Sequence, residues 1–223
     1  MLEDKKILLL GAGGHCLSVI DTLLSSDNYL SIGIIDKKSE ETEAFQANAN
    51  YMMGIPIIGN DEDLKKFYSE GYTDAFITVG SIGNVTLRKR LYQLAKSIGF
   101  HIPNIIDKSS IVSQYAVFGE GIYVGKNAVV NAYSKVGNCA IINTSSVVEH
   151  ECALQDFVHI APGSILNGNV QVAEDTHIGA GSTIKQGIHI GAGSMVGMGS
   201  VVINHIGDRV TAFGNPCKEV KHE

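Results

Sequence analysis

From Ser109 to Asn204 the sequence divides into blocks of six: SSIVSQ, YAVFGE, GIYVGK, NAVVNA, YSKVGN, CAIINT, SSVVEH, ECALQD, FVHIAP, GSILNG, NVQVAE, DTHIGA, GSTIKQ, GIHIGA, GSMVGM, GSVVIN. The fourth place is apolar in every block, from Val112 and Phe118 through Val148 and Leu166 to Val202. Two residues earlier the side chain is mostly small: Ala116, Ala128, Ser134, Ser146, Cys152, Ser164, Ser182, Ser200. A period of six fits neither an α-helix nor a heptad. It predicts a parallel β-helix. Each block supplies a short flat strand with one large inward side chain, then turns a corner at a small residue. Coils stacked about 4.8 Å apart convert the fourth places into a continuous aliphatic core.

Working outward, the pattern stops on both sides. After Val202 the segment Arg209–Lys218 closes the coil. Before Ser109 the chain reads as strands alternating with helices. Ile7–Leu10 is a short apolar run that ends in Gly11-Ala12-Gly13-Gly14-His15. Leu17, Ile20, Leu23 and Leu24 follow at helical spacing. Strand, glycine turn and helix open a nucleotide-binding β-α-β unit, in which glycines admit a phosphate to the free N–H groups of the helix N-terminus. A turn needed only for packing would read the same way, and a full G-x-G-x-x-G is absent.

A second strand, Ile32–Ile35, ends at Asp36-Lys37, where an acid would read a ribose. Lys38–Gly54 is polar and aperiodic, a surface loop. Ile55–Gly59 is an edge-type strand, since Pro56 has no N–H. Asn60 or Asp61 caps a helix with Leu64, Phe67 and Tyr68. Asp74–Val79 is a strand ending at Gly80-Ser81. Asn84–Ile98 is a helix with Leu87, Leu91 and Leu94 inward and Arg88, Lys89, Arg90 and Lys96 mostly outward, Arg88 being placed to meet a phosphate. His101–Ile106 is the last strand. The expected architecture is α/β: a small Rossmann-like parallel β/α/β domain (residues 1–107), then a β-helix with a closing segment (residues 108–223). The ligand crevice of an open parallel sheet lies at the strands' carboxyl ends, which brings Gly11–His15, Asp36 and Gly80–Asn84 to one rim.

The chain of 223 residues has a net charge of −6, which disfavours nucleic acid or an anionic membrane as a partner. Cys16, Cys139, Cys152 and Cys217 form no C-x-x-C pair, and read as reduced thiols of a cytoplasmic protein. No signal peptide or bilayer-length apolar run is expected.

Within the repeats, His150, Glu151 and His159 lie in neighbouring blocks, with Asn143 one block earlier. A coil that serves only as a spacer has no need of such a cluster. A carboxylate beside an imidazole holds its tautomer and raises its basicity, as a general base requires. Two solvated corner residues are the plain alternative. Cys152 sits at the small inward place, which suits a core filler better than a nucleophile.

These stretches carry a resemblance. The hexapeptides resemble the left-handed β-helix acyltransferases. Gly11–His15 together with Ile-Ile-Asn-Thr-Ser-Ser-Val-Val-Glu-His-Glu-Cys at 141–152, Phe157-Val158-His159-Ile160 and Gly214-Asn215-Pro216-Cys217-Lys218 resemble the bacterial nucleotide-aminosugar N-acetyltransferases and sialic acid O-acetyltransferases. The closing motif departs in having Cys217 where Ala is usual. The resemblance implies a homotrimer with active sites between subunits and acetyl-CoA, without a metal, in a groove between β-helices. It implies that the N-terminal domain binds a nucleotide-linked 4-amino-4,6-dideoxy sugar, UDP-linked by expectation, and not NAD.

Carried over by position, His150 is the base and Glu151 its support. Asn143 and His15 hold the amine or its neighbouring hydroxyl. Gly11, Gly13, Gly14, Asp36, Lys37 and Gly80 contact the nucleotide-sugar. His159, Gly168, Gly179, Ala180 and Gly197 line the acetyl-CoA side, with the Gly168 amide facing the thioester oxygen. O-acetylation of a sialic acid uses the same scaffold, but offers the glycine turn only a carboxylate. A zinc lyase needs three converging His ligands, and His177 and His189 fall at different corners. A non-catalytic nucleotide-binding regulator has no use for His150-Glu151.

Overall fold

The computed structural model describes residues 5–26, 28–37 and 50–220. It divides into two compact units, Met1–Gly80 with Thr86–Pro103, and Ser81–Val85 with Asn104–Glu223. No helix among the described residues is long and apolar enough to cross a membrane.

In the first unit, β1 (Lys6–Leu10), α1 (Gly14–Ser26), β2 (Ser31–Ile35), β3 (Tyr51–Met52), β4 (Ile55–Gly59), α2 (Leu64–Ser69), β5 (Tyr72–Ile77) and α3 (Thr86–Ile98) follow in order. The sheet order is β3-β4-β2-β1-β5. β1 is an interior strand, parallel to its neighbours β2 and β5, and Ile7, Leu8, Leu9 and Leu10 are fully buried. A continuous apolar run is what a strand covered on both faces demands. β4 pairs parallel with β2 and antiparallel with β3, so the polar stretch after Lys37 ends in a strand where a loop was expected. Residues 38–49 of that stretch lie outside the described residues. Asn60 caps a 3-10 turn (Asp61–Asp63) that leads into α2, its side chain accepting from Glu62 N while Asp63 reaches back to Asn60 N.

Three expectations need correction. α3 begins at Thr86, two residues later than read. Its buried face is Arg88, Leu91 and Ala95, at i, i+3 and i+7, while Leu87 is exposed. Arg88 is only 1 % exposed and donates to the carbonyls of Ile77 and Val79. Sequence placed it on a solvated face or against a phosphate, but the carbonyls of Ile77 and Val79 give its guanidinium the partners burial requires. Finally, His101–Ile106 is not one strand. His101 makes an isolated bridge to Asp74, and Ile105–Ile106 pairs with Tyr123–Val124 in the β-helix. Pro103, with no N–H to give, separates the two.

The second unit is a parallel β-helix with three sheets. Each two-residue strand pairs in register with the strand three hexapeptides on, as Val129-Val130 does with Val147-Val148. The first sheet holds Val147–Val148 and Ile165–Leu166, the second Ala153–Leu154 and Gln171–Val172, and the third Ile141–Ile142, His159–Ile160 and His177–Ile178. Fourth-place residues from Val124 to Val202 form the core. The small second place is buried as well, and its hydroxyls bond corner carbonyls left over by the ladder. Ser164 donates to Gly179 O (2.8 Å), Ser182 to Gly197 O (3.0 Å) and Ser146 to Asn143 O (2.6 Å). Each such bond contributes about 1 kcal/mol.

From Gly121 onward the corner itself is the first place of each block, in left-handed backbone even for Tyr133, Glu151 and Phe157. That conformation costs a non-glycine residue about 1–2 kcal/mol. The stacked coils enforce it: Glu151 N bonds Ala132 O and Asn169 N bonds His150 O, one coil to the next.

Candidate active site

In the first unit, the glycine turn follows β1. Gly11 has φ +113°, and a methyl group there would stand 2.5 Å from Val79 Cγ2. Its carbonyl accepts from Thr78 Oγ1 at 2.5 Å. The fold requires glycine at this position. Gly13 and Gly14 differ: a side chain on either would meet no described atom within 4 Å. Gly14 opens α1. Asp36 closes the turn, accepting from Ala12 N at Oδ2 and from Lys37 N at Oδ1, both at 2.7 Å. In the structure the carboxylate that sequence placed on a ribose holds the turn. A methyl group on exposed Gly80 would lie 3.9 Å from His15 Cβ, so the β5 end reaches the same rim as the turn. Beyond Asp36 a groove of about 510 Å³ is lined by Lys37, Asn60, Asp61, Glu62 and Arg90, the last ion-paired to Asp61 at 2.7 Å. Asn60 was read as a cap only. Its place beside Lys37 follows from the β2–β4 pairing, which no local sequence signal announces.

In the second unit, the corner after Val147–Val148 carries His150 and Glu151. His150 Nδ1 lies 3.0 Å from Glu151 Oε2, with both side chains about half exposed, at 52 % and 63 %. The carboxylate fixes the tautomer that leaves Nε2 without a proton and turned away from it. Gly168, buried one coil on, lies beneath this ring. A methyl group there would stand 2.6 Å from both Nε2 and Cε1 of His150.

Asn143 and His159 form a second group, at the preceding corner. Thr144 N donates to Asn143 Oδ1 at 2.8 Å, which turns Asn143 Nδ2 toward His159 Nε2 at 3.4 Å. His159 Nδ1 donates to Ser81 O at 2.8 Å. Gly179 and Gly197 continue this corner coil by coil. A methyl group on Gly179 would strike Met198 N at 2.5 Å, and one on Gly197 would strike Phe213 Cβ at 2.7 Å. Ala180 follows Gly179, exposed. Within one chain, therefore, His150, Glu151 and Gly168 gather at one corner, and Asn143, His159, Gly179, Ala180 and Gly197 at the corner before it.

Burial pushes the Cys152 thiol up to about 11, against a weaker opposing pull from backbone amides. Its Sγ donates to Asn167 O at 3.3 Å, so it is core and not nucleophile. Among the described residues, no three His, Cys, Asp or Glu side chains are grouped as a metal would need.

Comparison with known proteins fits this arrangement. The PglD N-terminal domain family matches residues 6–95, and the hexapeptide repeat of succinyl-transferase matches residues 170–203. A histidine-to-asparagine variant of perosamine N-acetyltransferase from Caulobacter crescentus, in complex with CoA and GDP-perosamine, is 32 % identical with TM-score 0.87. The match covers all of both chains. The chain belongs to the hexapeptide-repeat family of acetyl-CoA-dependent sugar N-acetyltransferases. The acetyltransferase domain of PglB from Neisseria gonorrhoeae, in complex with acetyl coenzyme A, is 32 % identical with TM-score 0.88, covering 98 % of this chain and all of that one. WeeI from Acinetobacter baumannii is 25 % identical with TM-score 0.81, covering 97 % and 100 %. No curated protein matches by sequence. The β-helix is accordingly the left-handed one of this family, as its hexapeptides implied.

Proposed function

We propose that the protein transfers the acetyl group of acetyl-CoA to the 4-amino group of a 4-amino-4,6-dideoxy sugar carried on a nucleoside diphosphate, with His150 as general base. The observation that carries this reading is the corner where His150 is oriented by Glu151 and seated on Gly168.

Both substrates are bound at once, and orientation converts the reaction into an effectively unimolecular step. The neutral amine attacks the thioester carbon. His150 Nε2 takes the amine proton as the tetrahedral centre forms, and Glu151 stabilises the resulting imidazolium. The Gly168 amide donates to the developing oxyanion. Collapse breaks the C–S bond, and the imidazolium returns its proton to the leaving thiolate. No acyl-enzyme is required.

The first unit presents the nucleotide. Gly13 and Gly14 are not demanded by packing within the chain, so their bareness serves the approach of a phosphate to the first turn of α1. His15 contacts the sugar, and Asp36 and Lys37 the nucleoside. A UDP-linked acceptor is the sequence-based expectation. The relative solved with GDP-perosamine favours a GDP-linked one as the second reading.

The active form is a homotrimer. The two corner groups lie at opposite ends of the Val147–Val148 strand, so neither chain alone brings His150 to Asn143 and His159. A neighbouring copy would bring them together. The outward face of the first sheet supports this, with Ile111, Val129, Val147 and Ile165 in one partly exposed apolar column.

The test is thiol release from acetyl-CoA with UDP-, GDP- and dTDP-linked 4-amino sugars and with free sialic acid. Rapid release with one nucleotide-aminosugar is expected. Release with sialic acid alone would replace the reading by O-acetylation.

A further inference from the structure

The third sheet of the β-helix turns a column of side chains outward: Tyr123, Ile141, His159, His177 and Met195, in register from coil to coil. Ser81–Val85 belongs to this unit although it falls in sequence between β5 and α3. Ser81 O accepts from His159 Nδ1, and a methyl group on Gly83 would lie 3.8 Å from Met195 Sδ. The segment is therefore seated along three successive coils. His177 lies between the two contacts. Its ring meets that of His159 edge to face, with centroids 4.7 Å apart and planes at 76°.

The hydrogen bonds here run in one direction. Thr144 N–H donates to Asn143, Asn143 Nδ2–H points to His159 Nε2, and His159 Nδ1–H donates to a backbone carbonyl. A backbone donor and a backbone acceptor fix the two ends, so the polarity cannot reverse. His159 must carry its proton on Nδ1 and offer a lone pair at Nε2. The 3.4 Å approach of Asn143 is long, so a donor that comes closer, such as an amide N–H, would make the stronger bond to that lone pair.

We propose that His177 is a positioning residue, a neutral wedge that holds the His159 ring against Ser81 O so that Nε2 is presented as an acceptor to an amide N–H of the acyl donor. The identity of that donor rests on the acetyl-transfer reading above; the positioning of His159 does not. A neutral ring is required, because an imidazolium at His177 would lie against the His159 ring and contest Ser81 O. His177 is suited to this. Burial pulls its pKa below the usual value, against a lesser opposing pull from the Ser81 backbone. Its Nδ1 is buried with no hydrogen-bond partner among the described residues, as is Ser81 Oγ. Shape, and not hydrogen bonding at Nδ1, is then what the site asks of residue 177.

The experiment uses the full-length protein and two readouts. Long-range 15N–1H correlation of the imidazoles, with His159 assigned through His159→Gln, reads the tautomer. Steady-state kinetics reads KM for acetyl-CoA against kcat. Wild type should show His159 protonated on Nδ1 alone. His177→Phe, which keeps a neutral ring, should retain that signature and a KM within about threefold. His177→Ala, or His177→Leu should the alanine variant not fold, should give mixed tautomers. Its KM for acetyl-CoA should rise at least tenfold, with kcat within about threefold. An Nε2-protonated His159 in wild type overturns the proposal. So does an unchanged tautomer and KM in the variant lacking the ring, or a lost tautomer in His177→Phe. Should wild type show the Nδ1 tautomer, with its loss in His177→Ala, yet acetylate no amino sugar, the positioning role is upheld and the acetyl-transfer reading falls.

Discussion

A methyl group on Gly168 would stand 2.6 Å from Nε2 and Cε1 of His150, one coil away. The ring and the glycine therefore form one unit. Gly168→Ala should displace the ring from its Glu151 partner and lower kcat/KM by about 10²-fold or more, the scale of misplacing a catalytic group. Circular dichroism and Tm should change little, because a half-exposed ring can swing away. Assay and melting curve on the same preparation check this.

Gly11 and Gly13 should part company. Gly11→Ala imposes φ +113° on a side chain that strikes Val79, so stability should fall by about 1–3 kcal/mol in urea titration. Gly13→Ala meets no described atom, so stability should hold while KM for the nucleotide-sugar rises.

The buried thiols should be silent. Burial raises Cys16 to about 12 and Cys152 to about 11, so at pH 7.5 almost none of either is thiolate, the reactive form. Iodoacetamide should leave both unmodified in the native protein and alkylate them in urea, as peptide mass spectrometry would show, with no loss of activity in the native sample.

Stability should carry a His177 signature. Its folded pKa lies below the usual 6.5. In that window the unfolded chain binds more protons than the folded one, so stability falls as pH drops below about 6.5 toward the folded value. His177→Phe removes the group, and its Tm should decline less than that of wild type between pH 7 and pH 5.5.

The β-helix was legible because one rule, an apolar fourth place, repeats without a break, and its ladder then places every corner. That rule put Cys152 in the core and His150 beside Glu151. Gly168 entered only through the family resemblance, and the ladder sets it one coil beyond His150. Arg88 was misread because a helix face is chosen by what packs on it, and the carbonyls of Ile77 and Val79 are invisible to local periodicity. His101–Ile106 was misread as one strand because Pro103 divides it between two sheets. The Ser81–His159 bond joins residues far apart in sequence, so no motif contains it. Nor could sequence show that Asp36 spends its oxygens on Ala12 and Lys37 amides.

The most direct measurement is kcat/KM for CoA release in His150→Asn against wild type, with the best nucleotide-linked 4-amino sugar as acceptor. Asparagine keeps a polar side chain over Gly168 but accepts no proton. A fall of about 10²–10⁴-fold, the worth of a general base, is expected, carried by kcat with both KM values nearly unchanged. Activity within a few fold of wild type would contradict it.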